Sequence, residues 1–186
     1  SRQMQSGFTL IEALIILAVI GILTALAVPS FYELIQRKNL EGAVEKFTSD
    51  LNYAKTESIK RAEDVYIEFS TANACYGLAL SNNCDCTETD PTDASACAID
   101  GILKVTDMDD FGNTTFTHTF SAGNETHYNS RRGDASATGR LIFSGADDTT
   151  PWEAEVVVSS FRVHVCSDPS DVDSRHVLTY EAACPP

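Results

Sequence analysis

The sequence lacks the local patterns that mark most enzymes. Its four histidines form no His-x-x-x-His pair, and it contains neither a Gly-x-Ser-x-Gly elbow nor a glycine-rich loop that could hold a phosphate. No side chain is marked as a nucleophile by an adjacent base. The sequence therefore predicts a protein that is not an enzyme and that uses no cofactor.

Positive charge is scarce after residue 62, and cysteine is absent before residue 75. Residues 63–186 carry six Lys/Arg and 21 Asp/Glu, a net charge of −15, which disfavours nucleic acid as a partner. All six cysteines lie in this acidic part, which favours an oxidising compartment and a disulfide framework. They are Cys75, Cys84, Cys86, Cys97, Cys166 and Cys184.

Charge is also nearly absent from residues 8–28, where Glu12 is the single charged side chain. These 21 residues would span about 30 Å as a helix, the thickness of a bilayer's hydrocarbon core. A cleaved signal peptide would place a small residue after its apolar region, whereas here Gly7 precedes it. The run therefore predicts a membrane helix that stays on the mature protein, and a carboxylate inside it indicates function.

In the rest of the chain, apolar residues follow helical spacing in one long segment and strand-like alternation in many short ones. The helix is predicted to run from Phe8 to about Arg61, with Pro29 as its single interruption. Apolar side chains at helical spacing predict a face that packs on a sheet, and polar ones between them are predicted to stay in solvent. The apolar set is Leu40, Val44, Phe47, Leu51 and Ala54, and the polar set is Gln36, Arg37, Glu41, Glu45 and Lys55.

Residues after Glu63 follow the two-residue period of strands. Strands are predicted around Val65–Phe69, Tyr76–Leu80, Ile102–Thr106, Thr114–Phe120, Thr126–Tyr128, Gly139–Phe143, Ala154–Ser159, Arg162–Cys166 and Val177–Tyr180, with an acidic loop over residues 81–100. A long helix followed by short strands predicts an α+β fold, with the helix packed on an antiparallel β-sheet.

The N-terminal pattern resembles the type IV pilin signature. It reads Gly7-Phe8-Thr9-Leu10-Ile11-Glu12, then the apolar run, then Pro29. The segment Phe47–Arg61 with the following strand, and three later segments, resemble the GspH/FimT group. These segments are Tyr128–Gly133, Gly139–Phe143 and Val156–Cys166. That group holds the H-type minor pseudopilin of type II secretion and the FimT/FimU minor pilins of type IV pili.

The resemblance implies how such a chain is processed and placed. A prepilin peptidase would cut between Gly7 and Phe8, and the new N-terminus would be methylated. Glu12 would then pair with the amine of Phe8, in the same chain or in a neighbouring subunit, and Pro29 would kink the helix. The expected parts are a leader remnant (1–7), a membrane and filament-core helix (8–29) and a pilin head (30–186). The head comprises an amphipathic helix (30–62) and a β-rich part (63–186).

The resemblance also implies a function and partners. We expect a minor pilin that crosses the inner membrane once, holds its head in the periplasm, and then joins a pilus with other major and minor pilins. The alternatives are an H-type minor pseudopilin and a DNA-binding pilin. DNA binding would rest on Arg131, Arg132, Arg140 and Arg162. However, Phe161-Arg-Val-His164 stands where the group often has Gly-Arg-x-Arg, which weakens that alternative.

The cysteine pairing is partly open. Many pilins have a C-terminal disulfide loop, and the resemblance implies the same for Cys166 and Cys184. Cys84 and Cys86 are too close in sequence to pair with each other, so Cys75 pairs with one of them. We favour Cys75–Cys84 with Cys86–Cys97. A zinc site formed by these four is the alternative, although the usual knuckle spacing is absent.

Overall fold

The computed structural model describes residues 9–112, 114–145, 151–167, 175–176, 180 and 184, without the side chains of residues 26–30, 175 and 176. The chain divides into two compact units, residues 1–35 and 36–186. We refer to the second unit as the head.

The long helix α1 spans Leu10–Arg61 and contributes to both units. Pro29 lacks a backbone donor, yet the helix continues on both sides of it, so the predicted interruption does not end the helix. At the C-terminal end Ala62 adopts a left-handed φ of 54°. The Glu63 N–H then donates to the Ser58 carbonyl at 3.3 Å, which closes the last turn as a Schellman cap.

The predicted apolar face of α1 is confirmed. Its five residues and Ala43 are at most 1% exposed and form the centre of the head core. Two of the polar predictions are wrong, because Gln36 and Glu41 are each only 7% exposed. Glu41 tolerates burial because Arg37 Nε donates to it at 2.9 Å and Lys38 Nζ at 2.5 Å, so its charge is paired.

Eleven strands and one 3-10 turn follow the helix among the described residues. Most predicted strands are confirmed within two residues of their ends, while the predicted Val177–Tyr180 strand lies largely outside the described residues. The strands are β1 (Val65–Ser70), β2 (Cys75–Ala79), β3 (Ala98–Ile99), β4 (Ile102–Leu103), β5 (Val105–Asp107), β6 (Thr115–His118), β7 (Glu125–Tyr128), β8 (Gly139–Ser144), β9 (Trp152–Val158), β10 (Val163–Cys166) and β11 (Arg175–His176); the 3-10 turn is Met108–Phe111.

The strands form two larger sheets and a small hairpin. The first sheet has the order β5-β2-β1-β7 and the second has the order β10-β9-β8-β6; all neighbours in these orders are antiparallel. In addition, β11 pairs with β9 in parallel, and β3 pairs with β4. The head is therefore the predicted α+β arrangement, built from two antiparallel sheets.

Phe47 joins the helix to both sheets. Its ring lies 5.2 Å from the ring of Tyr76 in the first sheet and 5.8 Å from that of Phe143 in the second, in each case edge-on or tilted. Aromatic pairs in this geometry contribute about 0.5–1.5 kcal/mol beyond their buried area. Asp50, one turn later, accepts from the Tyr76 hydroxyl at 2.8 Å and so satisfies the polar end of a fully buried ring.

Candidate assembly surface and head sites

The beginning of α1 places Glu12 in a helix cap. Thr9 Oγ1 accepts from the Glu12 backbone N–H at 3.4 Å, and the Thr9 carbonyl accepts from Ala13 N–H at 3.2 Å. Threonine at the cap with glutamate three residues later is the capping-box pattern. A carboxylate in the first turn also interacts favourably with the helix dipole, by about 0.3–1 kcal/mol. Gly7 and Phe8, the predicted processing residues, lie outside the described residues.

An apolar surface follows this cap and defines what we call the assembly surface, the exposed side chains of residues 10–23. Its large apolar side chains are 44–79% exposed within the chain. They are Leu10, Ile11, Leu14, Ile15, Ile16, Leu17, Val19, Ile20, Ile22 and Leu23. Burying one such side chain fully is worth about 1.5–3 kcal/mol, so this surface favours transfer into an apolar environment.

Few polar groups of this segment need a hydrogen-bond partner from that environment. Thr24, just beyond it, donates its hydroxyl to the carbonyls of Ile20 and Gly21 at 2.9 and 3.0 Å, so it is satisfied within the helix. The described part of the chain contains no helix that is both long enough and apolar enough to cross a membrane. The membrane span predicted for residues 8–29 includes residues outside the description and stays a prediction, as does the role of Pro29.

The cysteines form three disulfides: Cys75–Cys86, Cys84–Cys97 and Cys166–Cys184. The C-terminal pair is the one that the pilin resemblance implies. The favoured pairing of the other four is wrong, since Cys75 bonds to the second cysteine of the Cys84-Asp85-Cys86 segment. Cys97, whose side chain packs directly over Gly77 of β2, bonds to Cys84, which leaves Cys86 as the partner of Cys75. All six sulfurs are oxidised, so none can bind zinc as a thiolate.

The four candidate arginines do not form one basic face. Arg140 lies on β8 and donates to Glu155 at 3.2 Å, while Arg132 pairs with Asp134 at 3.3 Å. The turns that carry Arg131 and Arg162 are neighbours, because the Ala135 N–H donates to the Ser160 carbonyl at 2.8 Å. The structure thus brings three arginines to one end of the head and leaves Arg140 on the sheet beside a carboxylate.

A pair of carboxylates on the first sheet was not predicted from the sequence. Glu68 on β1 stands directly opposite Glu125 on β7. Burial raises the pKa of Glu68 from 4.5 to about 7, and the neighbouring Glu125 adds to the rise, while donation from the Asn83 N–H at 2.7 Å opposes it. The two-residue period of β1 places Glu68 on the face opposite its buried side chains, but only the strand register shows that Glu125 meets it.

Two comparisons of the sequence identify its family. Residues 2–28 match the prokaryotic N-terminal methylation motif. Residues 43–170, more than half of the chain, match the family described as type II transport protein GspH. The chain belongs to the GspH family. This GspH-family chain is therefore pilin-like, as its sequence predicts, and the family is one of structural pilins and pseudopilins.

Several fimbrial proteins are similar to this GspH-family chain. A type IV major fimbrial protein FimA of Dichelobacter nodosus is 30% identical over 108 residues, which cover 53% of this chain and 67% of the relative. A fimbrial protein of Pseudomonas aeruginosa is 30% identical over 79 residues, 42% of this chain and 51% of the relative. The fimbrial protein EcpC of Eikenella corrodens is 39% identical over 59 residues, 26% and 39% respectively.

The chain spans from about two fifths to two thirds of the length of these three relatives. No solved structure shows a significant similarity to it.

Proposed function

We propose that this chain is a minor pilin, a non-enzymatic structural subunit of a type IV pilus or of its tip or initiation complex. The observation that carries the proposal is the assembly surface, ten large apolar side chains exposed on a helix that Thr9 caps and that carries Glu12 in its first turn. The methylation motif and the fimbrial relatives support the same function. Apolar surface of this extent on one helix marks an interaction with membrane or protein.

The mechanism is assembly without covalent chemistry. The assembly surface anchors the subunit in the inner membrane, with the head in the periplasm, and packs against other pilin helices after extrusion. Cleavage after Gly7 by the prepilin peptidase produces an ammonium on Phe8. The Glu12 carboxylate of one subunit pairs with that ammonium on a neighbour, and in apolar surroundings this pair sets the axial position of the incoming subunit.

A second candidate function is that of an H-type minor pseudopilin in a type II secretion system. The match to the family described as type II transport protein GspH favours it. The same assembly surface and the same Glu12 contact would serve in that case, within a secretion pseudopilus. Co-purification of the chain with surface pili supports the first function, and co-purification with a periplasmic pseudopilus supports the second.

The test of both functions is substitution of Glu12. Glu12→Ala and Glu12→Gln should insert into the membrane as well as the wild type, because they remove a charge from an apolar segment. Their incorporation into filaments should fall strongly, because the partner ammonium is left unpaired, which costs about 3–5 kcal/mol when the site is buried. The measurement is the amount of each variant in sheared filaments relative to the membrane fraction.

The matched control is Glu45→Gln, which removes an exposed carboxylate of the same helix within the head and should assemble normally. Intact-mass analysis should show that every variant begins at a methylated Phe8, so processing and assembly are separated. Equal incorporation of wild type and both Glu12 variants, with crosslinking to neighbouring subunits unchanged, would contradict the assembly role. A mature chain that begins elsewhere would contradict the pilin assignment itself.

A further inference from the structure

One end of the head carries a patch that is both apolar and basic. We call it the end patch, and its residues are Lys55, Ile59, Arg131, Phe161 and Arg162. The Lys55 ammonium donates to the Phe161 carbonyl at 3.4 Å, which joins the helix to the β9–β10 turn. A Cβ placed on Gly133 would lie 2.9 Å from Ile59 Cδ1, so the turn after β7 also touches the helix here. Three separate segments of the chain therefore meet at this patch.

The apolar members of the end patch are largely exposed. Phe161 is 65% exposed and Ile59 is 54% exposed, although the described head buries most of its other large apolar side chains. Phenylalanine and arginine are both enriched at the centres of protein interfaces. A patch with an exposed aromatic ring, an aliphatic side chain and arginines thus has the composition of a protein-binding surface.

The charge of the end patch opposes that of the rest of the head. The end patch takes its positive charge from Lys55, Arg131 and Arg162, whereas the rest of the head carries a large negative excess. Of the nearby carboxylates, Asp134 pairs with Arg132, and Asp64, which accepts from the Ser130 N–H at 2.7 Å, offsets one positive charge, so the end patch keeps a net positive charge. A positive patch on a negative protein attracts acidic surfaces and repels basic ones.

The chain itself contains a surface that complements the end patch. The loop of residues 81–100 carries five Asp/Glu and no Lys/Arg, and its Asp85, Asp90 and Asp93 are exposed. Each of these carboxylates accepts a backbone N–H and a hydroxyl two residues later, at 2.7–2.9 Å. Donation from Thr87, Thr92 and Ser95 respectively lowers the pKa of all three, so they stay charged.

The acidic loop is also held in a fixed shape before any partner arrives. Cys75–Cys86 fastens it to β2, Cys84–Cys97 closes the loop on itself, and the Asn83 N–H fastens it to Glu68 on β1. A surface that is already ordered loses little conformational entropy on binding. The loop and the end patch are different surfaces of one head, so a contact between them in two copies is heterologous and leaves one loop and one end patch of the pair open to further copies.

We propose that the end patch binds the acidic loop of a second copy of this chain. Phe161 and Ile59 supply the apolar centre of the contact, and Lys55, Arg131 and Arg162 face the carboxylates of the loop. The inference rests on the proposed function, since a subunit assembled through its N-terminal helix brings its head beside the heads of neighbouring subunits. It adds a second contact between subunits, separate from the one at Glu12.

The test uses the full chain in detergent micelles, as a mixture of ¹⁵N-labelled and unlabelled protein treated with a carbodiimide. This reagent joins a lysine to a carboxylate in direct contact, and mass spectrometry should find peptides of mixed isotope that link Lys55 to Asp90 or Asp93. Arg162→Glu should lower their yield by about tenfold, because it replaces attraction with repulsion. Raising the salt concentration should lower it too.

A charge exchange makes the test specific. Thr89→Arg with Ala94→Arg adds two positive charges at exposed loop positions and leaves the three Asp side chains in place, and it should also lower the yield about tenfold. Combined with Arg162→Glu, it should restore the yield to within about threefold of wild type. Lys38→Gln and Arg162→Gln are the matched controls, because each removes one positive charge and adds no carboxylate. Lys38 is 63% exposed and lies outside the end patch, and Arg37 still pairs with Glu41 when Lys38 is replaced.

Three results would overturn the proposal. The first is no crosslink of mixed isotope between Lys55 and the loop, and the second is an equal effect of Lys38→Gln and Arg162→Gln. The third is tight, salt-sensitive binding of duplex DNA that Arg162→Glu abolishes, which would make the end patch a nucleic-acid surface. Glu12→Ala should leave the crosslink in micelles unchanged, so failure of the head contact and failure of the Glu12 contact are told apart.

Discussion

At Gly77 the packing of the head leaves no room for a side chain. It lies in the middle of β2, on the face that the two neighbouring disulfides cover. A Cβ added there would overlap both Sγ and Cβ of Cys97, whose side chain is fully buried and covalently fixed to Cys84. Because neither group can move freely, the absence of a side chain at this position is a condition for closing the Cys84–Cys97 disulfide.

Gly77→Ala should therefore lower the free energy of unfolding by about 1–3 kcal/mol, the usual cost of overpacking a fixed site. Chemical denaturation of the oxidised protein measures this loss, and thiol titration should show incomplete oxidation of the Cys84–Cys97 pair. Gly145→Ala is the control, because its Cβ would meet only Trp152 atoms at 3.6–3.8 Å. A stable, fully oxidised Gly77→Ala protein would show that β2 can shift away from Cys97.

At the scale of elements, the pairing of β1 with β7 makes the stability of the fold depend on pH, because it places Glu68 opposite Glu125. The folded state holds a proton on Glu68 up to about pH 7, whereas the unfolded chain releases it near pH 4.5. Between these values the folded state binds more protons than the unfolded state, so the free energy of unfolding falls as the pH rises. The stabilising contribution is complete below pH 4.5 and is lost as the pH rises through about 7.

Glu68→Gln should remove this dependence, because the amide is neutral at every pH and keeps the shape of the protonated acid. Denaturation midpoints between pH 4.5 and 7.5 should fall with rising pH in the wild type and change less in the variant. Glu63→Gln, at an exposed position just before β1, should behave like the wild type. Parallel curves for wild type and Glu68→Gln would contradict the raised pKa.

The sequence allowed the regular elements to be predicted and left their partners open. The helix face around Phe47 and the alternation of β1 are periodic signals that one sequence contains in full. Burial of Gln36 and Glu41 was missed because the helical period was traced through apolar residues only. The charges that pair with Glu41, on Arg37 and Lys38, lie within one turn of it in the sequence. The disulfide choice between Cys84 and Cys86 depends on which of the two reaches β2, and a spacing of two residues does not encode that.

The candidate functional residues likewise divide into those that the sequence alone could single out and those that only the fold brings together. Glu12 and the apolar run were predictable because one continuous segment contains them. The end patch was not, since Lys55, Arg131 and Phe161 come from three distant segments that only the fold brings together. The acidic pair on β1 and β7 is likewise a product of strand register, which sequence spacing alone does not determine.

At the scale of the whole molecule, the charge distribution predicts weak binding of nucleic acid. The net charge is −14 for the whole chain and −15 for residues 63–186. Of the candidate arginines, Arg132 and Arg140 are paired with carboxylates. The field around most of the head therefore repels phosphates, and the few remaining cations cannot release many counterions from DNA.

The full chain in detergent should bind a short DNA duplex no more tightly than the non-specific range of about 10⁻⁴–10⁻⁶ M at physiological salt. Fluorescence anisotropy with labelled duplex measures this affinity, and Arg162→Ala should change it little. Sub-micromolar binding that weakens steeply with salt and disappears in Arg162→Ala would support DNA uptake instead. Empty micelles serve as the control for adsorption of DNA.

The three disulfides have a consequence for how the head folds. Their sequence separations are 11, 13 and 18 residues, so each closes a short loop within one region of the chain. The sheets depend on far longer closures, such as the pairing of Val65 with Tyr128. Oxidation can therefore close the C-terminal loop before the sheets exist, while the Cys84–Cys97 pair closes against Gly77 of β2, and neither bond guides the distant strands together. The rate of folding is then governed by the non-local topology of the sheets and by packing on α1.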